Sequence, residues 1–144
     1  MHYLLALDLS HEPERIVDAA SSWVVGTNHR IDLLYVPLSF PMDWGQEATS
    51  ETLATLLEVQ DQQRDAAVGQ LQTLLERIPR DNRGEALVTE AGDAADRVLE
   101  ASKQRSAIMV GSHRRSGISR LLLGSVTDRI LRLADRPVVV LHGD

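Results

Sequence analysis

Apolar residues gather in short runs, and the segments between the runs carry helical spacing. Tyr3-Leu4-Leu5-Ala6-Leu7 is an almost unbroken apolar run, the pattern of a strand buried on both faces. Asp8, Ser10 and Pro13 end it and open a helix, with Ser10 as its cap and Glu12 and Glu14 at its positive N-terminal end. Ile16, Val17, Ala20, Trp23 and Val24 recur at helical spacing, which assigns Trp23 to the core, and Gly26 marks the stop. Residues 31–38 form a second strand with Pro37 at its exit, and residues 39–47, with Pro41, Asp43 and Gly45, read as a loop over which Trp44 packs locally.

A long helix follows over residues 48–78. Leu53, Leu56, Leu57, Val68, Leu71, Leu74, Leu75 and Ile78 make its stripe, a core or interface face, and the polar stretch from Gln60 to Asp65 and Gly69 predict a bend. Glu85–Glu90 reads as a short strand, and Asp93 caps a helix containing Val98 and Leu99. Ala107–Val110 is the fourth strand and Gly111–Ser119 a loop. Ser125–Ala134 is a helix with Val126, Ile130, Leu131 and Leu133 partly buried, and Val138–Leu141 is the last strand. Strands alternating with helices imply a parallel α/β sheet with right-handed crossovers and helices on both faces. No linker or repeat interrupts the pattern, so residues 1–144 read as one domain.

Composition narrows the function. The chain has no cysteine, which excludes a disulfide scaffold and a cysteine-ligated metal and allows a cytoplasmic location. No run approaches the roughly 18 apolar residues of a membrane span. A net charge of −6 repels a phosphate backbone, so nucleic acid and membrane are not expected as partners. His2, His11, His29 and His142 show no metal-ligand spacing, and no metal site is assigned.

Open parallel sheets bind ligands beyond the carboxyl ends of their strands where the strand order reverses, here between the first and fourth strands. Asp8 leaves the first and Gly111 the fourth. Asp8 either contacts a ligand or caps the turn that follows it. The stretch Gly111–Arg120 holds three arginines, a histidine, three serines, two glycines and no acid, and Gly124-Ser125 then runs into a helix. Free N–H groups at a helix start, glycine that admits close approach and a serine hydroxyl together describe a phosphate site. The plainer alternative is a solvated basic loop with His113 facing water and a serine-capped helix. No G-x-x-x-x-G-K-[ST] stretch is present, and no G-x-G-x-x-G follows the first strand. No general base or nucleophile stands near the loop, so the residues describe a binding module, with slow hydrolysis or autophosphorylation on Ser112, Ser116 or Ser125 as the most they allow.

Gly111, Arg114, Gly124 and Ser125 stand where the universal stress protein family carries G-x-x-G, nine residues and G-[ST]. Val110–His113, Ser116–Asp128, the ending Pro137–Val140 and the start Ala6–Ser10 resemble the same family, and element order matches along essentially the whole chain. The resemblance implies a five-stranded parallel sheet of order 3-2-1-4-5, as in adenine nucleotide alpha hydrolases, and a pocket for ATP or AMP. Mg²⁺ would accompany ATP, held mainly by phosphate and water. Carried over by position, Asp8 contacts the ribose or the adenine edge, Ala6 and Val36 flank the base, Val110 and Gly111 line the nucleoside, and Gly124, Ser125 and Val126 hold phosphates. The family also implies a homodimer through the last strand, here Val138–Leu141, whose exposed apolar edge favours pairing. The family has glycine at Arg114. A side chain there either crowds the phosphates or pairs with them. The alternative function is a dimeric interaction protein of the same fold whose pocket Arg114 has altered.

Overall fold

A computed structural model of the chain describes residues 1–10, 12–37, 49–112 and 124–142. Five strands form one parallel sheet of order β3-β2-β1-β4-β5: β1 His2–Ala6, β2 Arg30–Tyr35, β3 Arg83–Val88, β4 Ala107–Ser112 and β5 Val138–His142. Among the described residues four α-helices connect them: α1 Pro13–Val24, α2 Ser50–Leu75, α3 Ala94–Ser102 and α4 Ser125–Leu133. A short 3₁₀ turn, Arg80–Asn82, leads into β3.

Neighbouring side chains on a strand point to opposite faces, and the apolar runs therefore feed two cores. Leu5, Leu33 and Met109 pack with Ile16, Val17 and Ala20 of α1 and with Leu71 and Leu74 of α2. Leu4, Leu34, Ile108 and Val110 pack with Ala95 and Val98 of α3 and Ile130 of α4. Asp32 is the exception on this second face. It is only 1% exposed, and its carboxylate accepts from Glu85 N–H at 2.9 Å, Arg105 Nε at 3.0 Å and His2 Nδ1 at 3.1 Å. Those partners compensate the charge in the interior. Opposite it, an added Cβ at Gly84 would lie 2.0 Å from Asp32 Oδ1, and the β2–β3 register shifts between Ile31 and Leu33. Buried Asn82 donates Nδ2 to the carbonyls of Val24, Thr27 and His29 at 3.1, 3.0 and 2.8 Å, fixing the turn between α1 and β2.

Several elements differ from the pattern reading. Trp23 is 57% exposed, so it is a surface residue and not core. The cap of α1 is not Ser10: the helix starts after Glu12, which has φ 41°, and Pro13 at its first position sets the start. Helix α2 runs unbroken through Gln60–Asp65 and Gly69, with no loose turn there. Only its C-terminal half is buried, through Ala67, Leu71, Leu74 and Leu75, whereas Leu53 and Leu57 are exposed. Gly111 and Ser112 belong to β4 and not to a loop, since they continue the ladder opposite Leu141 and His142. In α4, Val126, Leu131 and Leu133 are exposed, and Ile130 and Thr127 turn inward. Trp44, His113 and Ser116 lie outside the described residues.

Candidate functional site

The carboxyl ends of β1, β2 and β4 open into a cavity of about 480 Å³ at the point where the strand order reverses. Ala6, Asp8, Val36, Val110, Gly111, Gly124, Ser125 and Val126 all line it. The sequence assigned each of these eight to one ligand site, and the fold brings them together. Arg114, the ninth, lies outside the described residues.

The turn after β1 is built around Asp8. Its Oδ1 accepts the backbone N–H of Ser10 at 3.0 Å and the Ser10 hydroxyl at 2.6 Å. Asp8 thus closes the turn, and both Asp8 and Ser10 line the cavity. The apolar wall comes from Ala6, Leu34, Val36, Val98, Val110 and Ile130, a surface that suits the faces of a flat ring.

Helix α4 begins at the other side. Gly124 is its N-cap, in extended backbone with φ −66° and ψ 164°, and among the described residues no side chain caps it. The first bond within the helix runs from Asp128 N–H to Gly124 O at 3.0 Å. The amides of Ser125, Val126 and Thr127 precede that bond and lie where the helix dipole is positive. A Cβ added at Gly124 meets no atom within 4 Å among the described residues, so no described residue fills the space beside this glycine. Gly111 differs. A Cβ there would lie 2.8 Å from Ile16 Cδ1 and 3.0 Å from Ile16 Cγ1. Its missing side chain makes room for α1, a packing role in addition to the nucleoside-lining one that the family resemblance implies.

The arms of the cavity are tied together. Arg129 of α4 reaches Asp93 Oδ2 at 3.1 Å and Asp96 Oδ1 at 2.9 Å on α3. Asp93 also caps α3, accepting from Asp96 N–H at 3.0 Å. These bonds fix Ala94 and Val98 against Ile130. Among the described residues no group of three His, Asp or Glu side chains is placed to hold a metal ion, and no helix is long and apolar enough to cross a membrane.

The sequence reading missed Ser10, Tyr35, Ala94, Val98 and Thr127 as lining residues. Thr127 carried a signal: it stands three residues before Ile130, and that spacing puts both on one helix face.

A model of the universal stress protein family matches residues 1–142. The chain belongs to the universal stress protein family. A universal stress protein of Mycolicibacterium smegmatis is 29% identical over 143 residues, covering 98% of this chain and 48% of that protein; the chain thus spans about half the length of that relative. Among solved structures, a universal stress protein family member from Burkholderia pseudomallei is 23% identical with a TM-score of 0.66, covering 96% of this chain and 93% of that one. The universal stress protein from Archaeoglobus fulgidus in complex with dAMP is 16% identical with a TM-score of 0.55, covering 98% and 97%. A universal stress protein in complex with cAMP is 17% identical with a TM-score of 0.58, covering 100% and 98%. At these identities the likeness is one of fold.

Proposed function

We propose that this universal stress protein binds an adenine nucleotide, ATP or AMP, in the cavity between β1, β4 and α4, and acts as a regulatory module of the stress response. The observation that carries the reading is the start of α4: amides that no described side chain caps, beside a glycine that lines the cavity and at which an added Cβ would meet no described atom. Such a helix start favours an anion. In this reading Gly124, Ser125, Val126 and Thr127 receive phosphate. Ala6, Val36 and Val110 hold the base, and the Asp8 carboxylate accepts from a ribose hydroxyl, as acids do in nucleotide sites of open α/β sheets. The dAMP and cAMP complexes of two proteins of this fold support an adenine nucleotide. Mg²⁺ enters with ATP on the phosphates.

The test is thermal unfolding with AMP, ATP and ATP with Mg²⁺. A ligand bound only by the folded chain raises the melting temperature by mass action. A dose-dependent rise is expected, and no rise at millimolar nucleotide would refute the reading.

We also propose that the chain forms a homodimer through β5. Among the described residues that strand pairs on one side only, with β4, and Val138, Val139 and Val140 remain half-buried. An unpaired apolar edge favours pairing with a second copy. Sedimentation should give a dimer, and Val140→Pro, which removes an N–H that faces away from β4, should give a monomer. A wild-type monomer at high concentration would refute this part.

A further inference from the structure

Asp32, Asn82, Ser102, Ser112 and Thr127 are the buried polar side chains among the described residues. The first four are hydrogen-bonded within the protein. Asp32 accepts from Glu85 N–H and Arg105, and Asn82 donates to three carbonyls. Ser102 donates to Leu99 O at 2.7 Å, and Ser112 Oγ lies 3.2 Å from Leu141 O and 2.7 Å from His142 Nδ1. Thr127 differs. It is 9% exposed, and among the described residues its hydroxyl has no hydrogen-bond partner.

Its place in α4 explains why. A hydroxyl further along a helix spends its proton on the carbonyl one turn back, as Thr55 does on Glu51 O at 3.0 Å and Thr73 on Gly69 O at 3.1 Å. Thr127 is the third residue after the cap Gly124, and four residues before it the helix has not begun. The wall beside it is apolar: Ile130 follows on the same helix face and packs with Leu34 and Val98 in one core. Nor is the hydroxyl sealed in. The unpartnered side-chain atoms shut off from the outside among the described residues are His29 Nδ1 and Arg136 Nε, whereas Thr127 lines the cavity. A buried hydroxyl without a bond is unfavourable, and a valine of the same shape would avoid that cost. Helix Cβ atoms tilt toward the N-terminus, and a side chain at this third position reaches back to the cap end, as acids do there in capping boxes. The Thr127 hydroxyl is thereby carried toward the amides of Ser125, Val126 and Thr127 itself, at the positive end of the helix dipole.

We infer that Thr127 is the buried side-chain donor of the phosphate site, its hydroxyl bonding the phosphate that the α4 amides receive. This rests on the nucleotide reading above and adds a side chain to it. Ser125, the first residue of the helix, is exposed, so a bond it makes competes with water, whereas a bond from Thr127 forms against an apolar wall and is stronger. The chemistry this donor selects is a nucleotide over its nucleoside.

The experiment titrates AMP into the intact chain by calorimetry for wild type, Thr127→Val and Thr127→Ser, with adenosine as a phosphate-free probe. Thr127→Val should bind AMP about tenfold more weakly, as expected for loss of a hydrogen bond to a charged group. Thr127→Ser keeps the hydroxyl and should stay within about threefold of wild type. Without nucleotide, Thr127→Val should melt no lower than wild type, because the hydroxyl has no partner to lose; a lower melt would give it a structural bond and overturn the inference. Adenosine should bind wild type and Thr127→Val alike, or neither, and both results place the loss at the phosphate. A parallel loss for adenosine would assign the hydroxyl to the base or ribose and overturn the inference as well. Unchanged AMP affinity in Thr127→Val would overturn it while leaving the nucleotide reading intact. No AMP binding by wild type would refute both.

Discussion

Alanine at Gly124 and, separately, at Gly111 adds one methyl group to two walls of the same cavity, and the two changes should act on different states. At Gly111 the new Cβ lies 2.8 Å from Ile16 Cδ1. The contact is with the far end of a side chain, so Ile16 shifts and the unliganded fold loses about 1–3 kcal/mol. For a chain of this size that is a fall of several degrees in melting temperature, at about 3–5 °C per kcal/mol. At Gly124 nothing lies within 4 Å among the described residues, and φ −66° with ψ 164° suits any residue. The unliganded fold should change by no more than about 0.5 kcal/mol, a lost N-cap preference offset by reduced freedom of the unfolded chain. The ligand-bound state should suffer instead, because the methyl occupies the approach to the α4 amides. With nucleotide at one hundred times its dissociation constant, the wild type gains about 2.7 kcal/mol, and a tenfold weaker variant gains about 1.4 kcal/mol. Differential scanning fluorimetry with and without AMP separates the cases. Gly124→Ala should melt like wild type alone and gain about half as much from AMP. A Gly124→Ala chain with the full AMP shift would refute the cradle, and an unchanged Gly111→Ala melt would refute the packing role.

Asn82→Asp replaces a donor to three carbonyls with an acceptor; urea denaturation should show a loss of at least about 3 kcal/mol, and a loss under 1 kcal/mol would contradict the assignment. Gly84→Ala drives a Cβ onto Asp32 Oδ1 and Ile31 O and should cost about 3 kcal/mol or more, whereas Gly69→Ala, with open space around it on α2, should gain up to about 1 kcal/mol; equal melts would remove the steric argument. Asp18 is held below its usual carboxylate range by its side-chain bonds from Arg77, at 2.8 and 2.7 Å. Its contribution is therefore present above the ordinary pKa near 3.8 and is lost as pH falls through the lowered folded value. The stability gap between wild type and Asp18→Asn should close under acid titration; a gap that widens there would reverse the sign.

The strands were legible because each central one is a compact apolar run, and β1 and β4 needed nothing else. Their order follows from the resemblance carried by Gly111, Gly124 and Ser125. The errors at Trp23 and Leu57 share one cause: periodicity reports which residues lie on a face and not whether another element covers that face. Trp23 and Leu57 share spacing with buried neighbours and are exposed, since no described element packs over them. Gly111 and Ser112 have turn propensity, but pairing with Leu141 and His142 overrides it. The Asp32 cluster was invisible because Glu85 and Arg105 stand 53 and 73 residues away. In the site, motif residues were legible, while Ala94 and Val98 entered through the packing of α3 on the sheet.

The central claim is that the opening amides of α4 take a phosphate. Two-dimensional ¹H–¹⁵N NMR of the labelled chain titrated with AMP tests it residue by residue. The largest amide shifts should fall on Ser125, Val126 and Thr127, with Gly111 and Asp8 following and Asn82 unmoved. Saturable binding that leaves those three amides in place and moves another surface would contradict the account.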